Sequence, residues 1–186
     1  MDARRARVPR STAGALHEIK EVSLDFSGAR ALQEARRVSP PVHVRQLEPQ
    51  RWEGVPVLAY KEDGDTFLSV TRQVLHQGSG GLGTDLRYFE ISPGGHSTLE
   101  RHDHEHLVLV LRGSGRCLVG DRLLDLSVHD LVRVPSRAWH QFRAAEGEVL
   151  GFLCLVPSER DHPQRPSKAE LRALCADPIV AAFIRA

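Results

Sequence analysis

Residues 93–106 read Pro-Gly-Gly-His-Ser-Thr-Leu-Glu-Arg-His-Asp-His-Glu-His and run directly into Leu107-Val108-Leu109-Val110-Leu111. Four of the ten histidines fall inside that stretch: His96, His102, His104 and His106. Neutral imidazoles and carboxylates are the standard ligands of a borderline divalent metal, at about 2.0–2.2 Å. Alternate residues of a strand share one face, so every second position can aim at a common point. Residues four apart in a straight strand are roughly 13 Å apart, too far to share one ion. If His102 and His106 bind the same metal, the chain must turn between them.

Outward from this stretch the texture is that of short strands cut by turn residues. Strands are expected over 55–60, 67–75, 86–91, 107–111, 116–119, 131–134, 140–143 and 149–156. Glu62-Asp63-Gly64-Asp65, residues 78–83, Pro93-Gly94-Gly95, Gly113-Ser114-Gly115, Gly120-Asp121 and Glu146-Gly147 supply the breaks. About eight short strands at this spacing predict an antiparallel sandwich or barrel. Helix is expected only at the ends. Residues 13–24 and 28–37 have helix-forming composition, with Ser27 as N-cap of the second and Ser39-Pro40-Pro41 as its stop. Near the C-terminus, Ser167 and Glu170 form a capping box, and Asp177-Pro178 opens a last helix over 179–184. The expected organisation is a helical N-terminal arm over 1–41, a β domain over 42–157 and a helical tail over 158–186.

In its spacing the histidine stretch resembles the first motif of the cupin family. Gly94 stands at the motif's opening glycine and Gly113 at its closing one. Glu100 and His102 fall at the His-x-His positions, and His106 at the position where the family usually has Glu. The residue types are thus permuted while the intervals hold. The second motif maps onto His129, Pro135, Arg137, His140 and Ala144; Pro135 and His140 match, whereas both glycines and the Asn are replaced. The resemblance covers about residues 85–156.

This resemblance implies an all-β fold, an antiparallel double-stranded β-helix (a jelly-roll barrel), carrying short helical N- and C-terminal extensions. It implies that Glu100 and His102 end one strand, that 103–105 turn, and that His106 opens the next strand. One divalent transition metal (Fe, Mn, Cu, Ni or Zn) would then be held by Glu100, His102, His106 and His140. His104 takes the place of Glu100 if the register slips by two; otherwise it sits in the turn. Glu100 has a plainer reading as a surface ion pair. His96 is expected to be exposed and His129 to be structural. A pocket beside the metal would be lined by Tyr88, Trp139, Phe142 and Phe152, for each of which core packing is the commoner fate. Arg87 and Arg116 have the chemistry to hold a substrate carboxylate, with solvated surface as their default.

Composition narrows the functions. The 186 residues are 41% apolar and 26% charged, enough for a packed core, and the net charge is +1. So balanced a chain argues against a dedicated nucleic-acid binder. No apolar run approaches the roughly 18–20 residues of a membrane span, and no signal core follows the basic N-terminus. Cys117, Cys154 and Cys175 stand far apart, which suits a reduced cytoplasmic setting. Residues 107–111 are apolar on both faces, so the outward face needs cover from terminal helices or from a second subunit, and a homodimer is expected. Three functional classes follow, each with a small-molecule ligand. The leading one is a mononuclear metal oxygenase of dioxygenase type. The others are a non-redox metal-dependent isomerase, cyclase or decarboxylase, and a binding cupin without catalysis.

Overall fold

In the computed structural model, residues 41–61, 66–78 and 81–186 are described. The helices expected over 13–24 and 28–37 lie outside these residues. Eleven strands are present among them. β1 (Gln46–Glu48) and β2 (Arg51–Trp52) form a small hairpin. The main sheet contains β3 (Leu58–Ala59), β4 (Leu68–Gln77), β5 (Thr84–His96), β6 (His106–Gly113), β7 (Gly115–Val119), β8 (Arg122–Leu126), β9 (Leu131–Val134), β10 (His140–Ala144) and β11 (Leu150–Pro157). Its order is β8-β7-β10-β5-β11-β6-β9, with β4 also on β5 and every pairing antiparallel. The long β5 pairs with β11 and β4 along its first part and meets β10 at His96, so the sheet curls into the half-barrel of a double-stranded β-helix.

Alternation decides which side chains enter the barrel. Directly paired residues share a face, and Phe89 lies opposite both Arg72 and Phe152, while Val108 lies opposite Cys154 and Val132. The resulting core holds Val70, Phe89, Ile91, Val108, Val110, Val134, Phe142, Leu150, Phe152 and Val156, all buried. Each such aliphatic or aromatic side chain contributes about 1.5–3 kcal/mol by leaving water.

Three sequence expectations change on folding. Pro93-Gly94-Gly95 does not end a strand. Between the pairs Val70↔Ile91 and Leu68↔His96, β5 carries four residues where β4 carries one, and the surplus is absorbed as a bulge within a continuous strand. Gly94 sits in that bulge at φ +70°, and its N–H donates to the Ala145 carbonyl. The strand expected over 55–60 shrinks to β3. Conversely β8, an Arg-Leu-Leu-Asp-Leu segment without strict alternation, is recruited by its hairpin with β7.

The two C-terminal helices form where their caps foretold, α1 over Lys168–Leu174 and α2 over Pro178–Phe183. Ser167 and Glu170 make the full capping box, and the Asp177 carboxylate accepts from the Ile179 and Val180 N–H groups. They pack Leu171, Leu174, Val180, Phe183 and Ile184 against Leu99, Leu118, Leu123 and Trp139. The fully buried Gln141 clamps the tail: its Nε2 donates to the carbonyls of Ser97 and Arg185, and its Oε1 accepts from the Arg185 N–H. That surface is distinct from the outward face of β6, where Leu107 remains 42% exposed beside Leu131 at 63%.

Candidate functional site

Two backbone devices bring the histidines together. Glu100 and His140 form an isolated antiparallel bridge, with N–H to carbonyl distances of 3.1 and 2.9 Å, so both side chains project to the same side. After His102 the chain bends at Asp103 and His104, as the distance argument required, and His106 opens β6. The Arg137 N–H holds the bend from below by donating to the His102 carbonyl at 2.7 Å, while the Arg137 guanidinium pairs with Asp103. Arg137 and His129 replace the two glycines of the second motif, yet both keep positive φ, 61° and 77°.

The imidazoles of His102, His106 and His140 converge, with one ligand atom from each lying within 4.8 Å of the others. Their tautomers are set by neighbours. His102 Nδ1 donates to the His104 carbonyl at 2.9 Å, and His140 Nδ1 to that of Ala138 at 3.0 Å. The remaining Nε2 of His102 is buried with no hydrogen-bond partner. A buried ring nitrogen with a free lone pair, aimed at two further imidazoles, is the donor set a divalent metal takes. Burial, followed by the charge of His140, pushes the pKa of His102 down to about 4. Burial lowers His106 and His140 as well. All three rings are therefore neutral, as ligation requires, near pH 7.

His104 and Glu100 differ in their commitments. His104 donates from Nδ1 to Asp161 at 2.7 Å, which turns its Nε2 to within 3.2 Å of His106 Nε2. Its ring stacks on His102 with centroids 3.8 Å apart. The Glu100 carboxylate receives Lys61 Nζ at 2.6 Å and faces the Tyr60 hydroxyl at 3.5 Å. The surface ion pair that was the plainer reading of Glu100 is in fact a half-buried pair inside the site.

Beside the histidines lies a cavity of about 370 Å³, lined by Lys61, Arg72, Arg87, Glu100, His102, His104, His106, Ser158 and Arg160 among others. A small apolar recess of about 40 Å³ adjoins it, walled by Val70, Phe89, Val108, Phe142 and Phe152. Of the four aromatic residues expected beside the metal, Phe142 and Phe152 wall this recess. Tyr88 and Trp139 do not. Tyr88 is one residue out of phase with the inward Arg87 and Phe89, so it points to the other face, packs edge-on against Trp52 and donates to Glu90. Trp139 precedes the inward His140 and joins the C-terminal helices under the Arg101 guanidinium. Arg116 pairs with Asp125 outside, whereas Arg87 lines the cavity. His96 is half-buried, with Nδ1 against the Ser97 carbonyl.

Tyr60, Lys61, Arg72, Cys154, Ser158 and Asp161 escaped the sequence reading. A signal existed for Arg72, which sits in phase with Val70 and Val74 on β4. The others come from segments brought to the site only by folding. Cys154 illustrates this: its Sγ lies 3.6 Å from His106 Nδ1, across paired strands 48 residues apart in sequence.

Comparison with known proteins agrees with this architecture. The Cupin domain model matches residues 87–156. A protein of Rhodospirillum rubrum named 1-methylthio-D-xylulose 5-phosphate methylsulfurylase is 56% identical over 135 residues, 72% of this chain and 86% of the relative. A cupin 2 conserved barrel domain protein from Rhodopseudomonas palustris superposes with a TM-score of 0.74 at 46% identity, covering 77% of this chain and 99% of that one. A cupin-2 domain protein of Rhodospirillum rubrum gives 0.69 at 53% identity, covering 77% and 96%.

Proposed function

This chain belongs to the cupin family, and from that premise we propose that it is a metal-dependent enzyme removing the methylthio group of a 1-methylthio-ketose 5-phosphate, the activity for which its Rhodospirillum rubrum relative is named. The identity of 56% over 135 residues, 86% of the relative's length, carries this reading. It takes the place of the oxygenase expected from sequence, because the relative's name describes transfer of a sulfur group and not reaction with O2.

His102, His106 and His140 would hold the metal, with His104 as fourth ligand. The Asp161 contact supports His104, since a carboxylate on Nδ1 orients the ring and raises the basicity of Nε2. Glu100 is already engaged by Lys61. When bound, the ion supplies Lewis-acid polarisation of a substrate oxygen such as the ketose carbonyl. The protein's own groups do the rest. The recess of Phe89, Phe142 and Phe152 offers an apolar seat for the methylthio group and excludes water from it. Glu100, held at Oε2 by Lys61 and open to the cavity, is the group placed to accept or return a proton at the carbon next to the carbonyl.

The domain limits at 42–157, a homodimer and a cytoplasmic location are parts of the same proposal. The exposed Leu107 and Leu131 support the dimer, and three unpaired thiols support the reducing compartment. The test is to load the protein in turn with Mn, Fe, Ni, Cu or Zn and supply 1-methylthio-D-xylulose 5-phosphate with a small thiol as acceptor. Mass spectrometry should record loss of the methylthio group with at least one metal and none with the metal-free protein. No turnover with any of them rejects the reading.

A further inference from the structure

Among the described residues, the charges around the cavity do not cancel. Lys61 is paired with Glu100, Arg160 with Asp85 at 2.7 Å, and Asp161 with His104. Arg72 and Arg87 also line the cavity, and among the described residues neither meets a carboxylate. The Nε of each guanidinium is buried without a hydrogen-bond partner, and so is the hydroxyl of Ser158 on the same cavity wall. Leaving such buried donors without a partner is unfavourable, more so when they are charged, so they call for an acceptor.

The two arginines are held side by side by the sheet register. Arg72 lies opposite Phe89 and Val74 opposite Arg87, so Arg72 and Arg87 are diagonal neighbours on the inward face of β4 and β5. Arg87 is braced over the Phe89 ring at 5.2 Å and against Cys154 Sγ at 3.6 Å. Those contacts fix the group without neutralising it. Among the described residues, two uncompensated charges and three donors without acceptors remain, and they match one phosphate monoester, which carries close to two negative charges and several acceptor oxygens near neutral pH.

We propose that Arg72 and Arg87, with Ser158, form the subsite that binds the phosphate of a sugar phosphate, setting the substrate's far end while its reacting end faces the histidines. This rests on the reading of the site given above and names the substrate group that the cavity recognises. Calorimetric titration of the metal-loaded protein with D-xylulose 5-phosphate, D-xylulose and inorganic phosphate tests it.

The 5-phosphate should bind about 100-fold more tightly than the free sugar, with inorganic phosphate competing. R72Q and R87Q should each weaken the 5-phosphate about 10- to 100-fold while leaving D-xylulose unchanged. R72K and R87K, which keep the charge, should recover part of the loss. Wild-type affinity in both Gln variants overturns the subsite, as does an equal loss for sugar with and without phosphate. Should either Gln variant fail to fold, the wild type decides alone: equal affinity for D-xylulose and its 5-phosphate, or no competition by inorganic phosphate, overturns it. Phosphate-dependent binding without methylthio turnover leaves the subsite standing and removes the proposed reaction. Turnover with KM unchanged in both variants does the reverse.

Discussion

Metal retention separates the roles of neighbouring histidines. His102 and His140 are each buried with one ring nitrogen committed to a carbonyl and the other facing the cluster. His102→Ala and His140→Ala should each lose most of the metal, measured by mass spectrometry of metal content after dialysis against a weak chelator. Asp161→Asn preserves the shape of the His104 contact but removes the charge, and should lower metal affinity about 10-fold. His104→Ala should strip more metal than Glu100→Ala. Metal content equal to wild type in His104→Ala, with loss in Glu100→Ala, would return the fourth position to the carboxylate. Full retention in His140→Ala would reject the site.

Individual elements carry strain that the sequence discloses only when set beside the family's glycines. His129 occupies the turn between β8 and β9 at φ +77°, where an L side chain crowds its own backbone. The ring is exposed, and the backbone N–H bonds to the Val110 carbonyl whatever the side chain. His129→Gly should therefore stabilise the fold by about 1 kcal/mol, read as a higher urea midpoint at constant slope. Arg137, at φ +61°, is strained in the same way, but its guanidinium also ties Asp103 into the bend beneath His102. Relief of strain and loss of that tie oppose each other there, which makes His129 the cleaner measurement.

Two properties belong to the molecule as a whole. The first is the acid sensitivity of the metal-free protein. Burial, and then the neighbouring His140, push the pKa of folded His102 down to about 4, against about 6.5 in the unfolded chain. Between those values the unfolded chain binds a proton that the folded chain refuses, so stability falls as pH is lowered through that window and is unaffected by this group above it. His106 and His140 shift in the same direction. The urea midpoint of the metal-free protein should accordingly drop between pH 7 and pH 5; an unchanged midpoint would contradict the burial of neutral rings. The second property is assembly. Leu107 and Leu131, on paired strands, leave an apolar patch that the C-terminal helices do not cover. Light scattering should give twice 20.7 kDa, and Leu131→Glu should return the chain to monomer. A wild-type monomer at micromolar concentration overturns the dimer.

Local signals in the sequence determined a good deal about this protein. Alternation and turn residues marked the strands, because a half-buried sheet has a period of two. Ser167-Glu170 and Asp177-Pro178 announced both C-terminal helices, because a helix cap is satisfied within four residues. Motif intervals picked out His102, His106 and His140, because barrel geometry ties ligand positions to strand lengths. Phase errors of one residue misplaced Tyr88 and Trp139, since a single step along a strand exchanges the two faces. What the tertiary structure alone decided is the charge pairing across the cavity. Lys61 reaches Glu100, Asp161 reaches His104, and Arg72 comes beside Arg87 with no carboxylate among the described residues to meet it. Such pairings join segments between 15 and 57 residues apart in the chain, and only closure of the sheet brings them within a few ångströms.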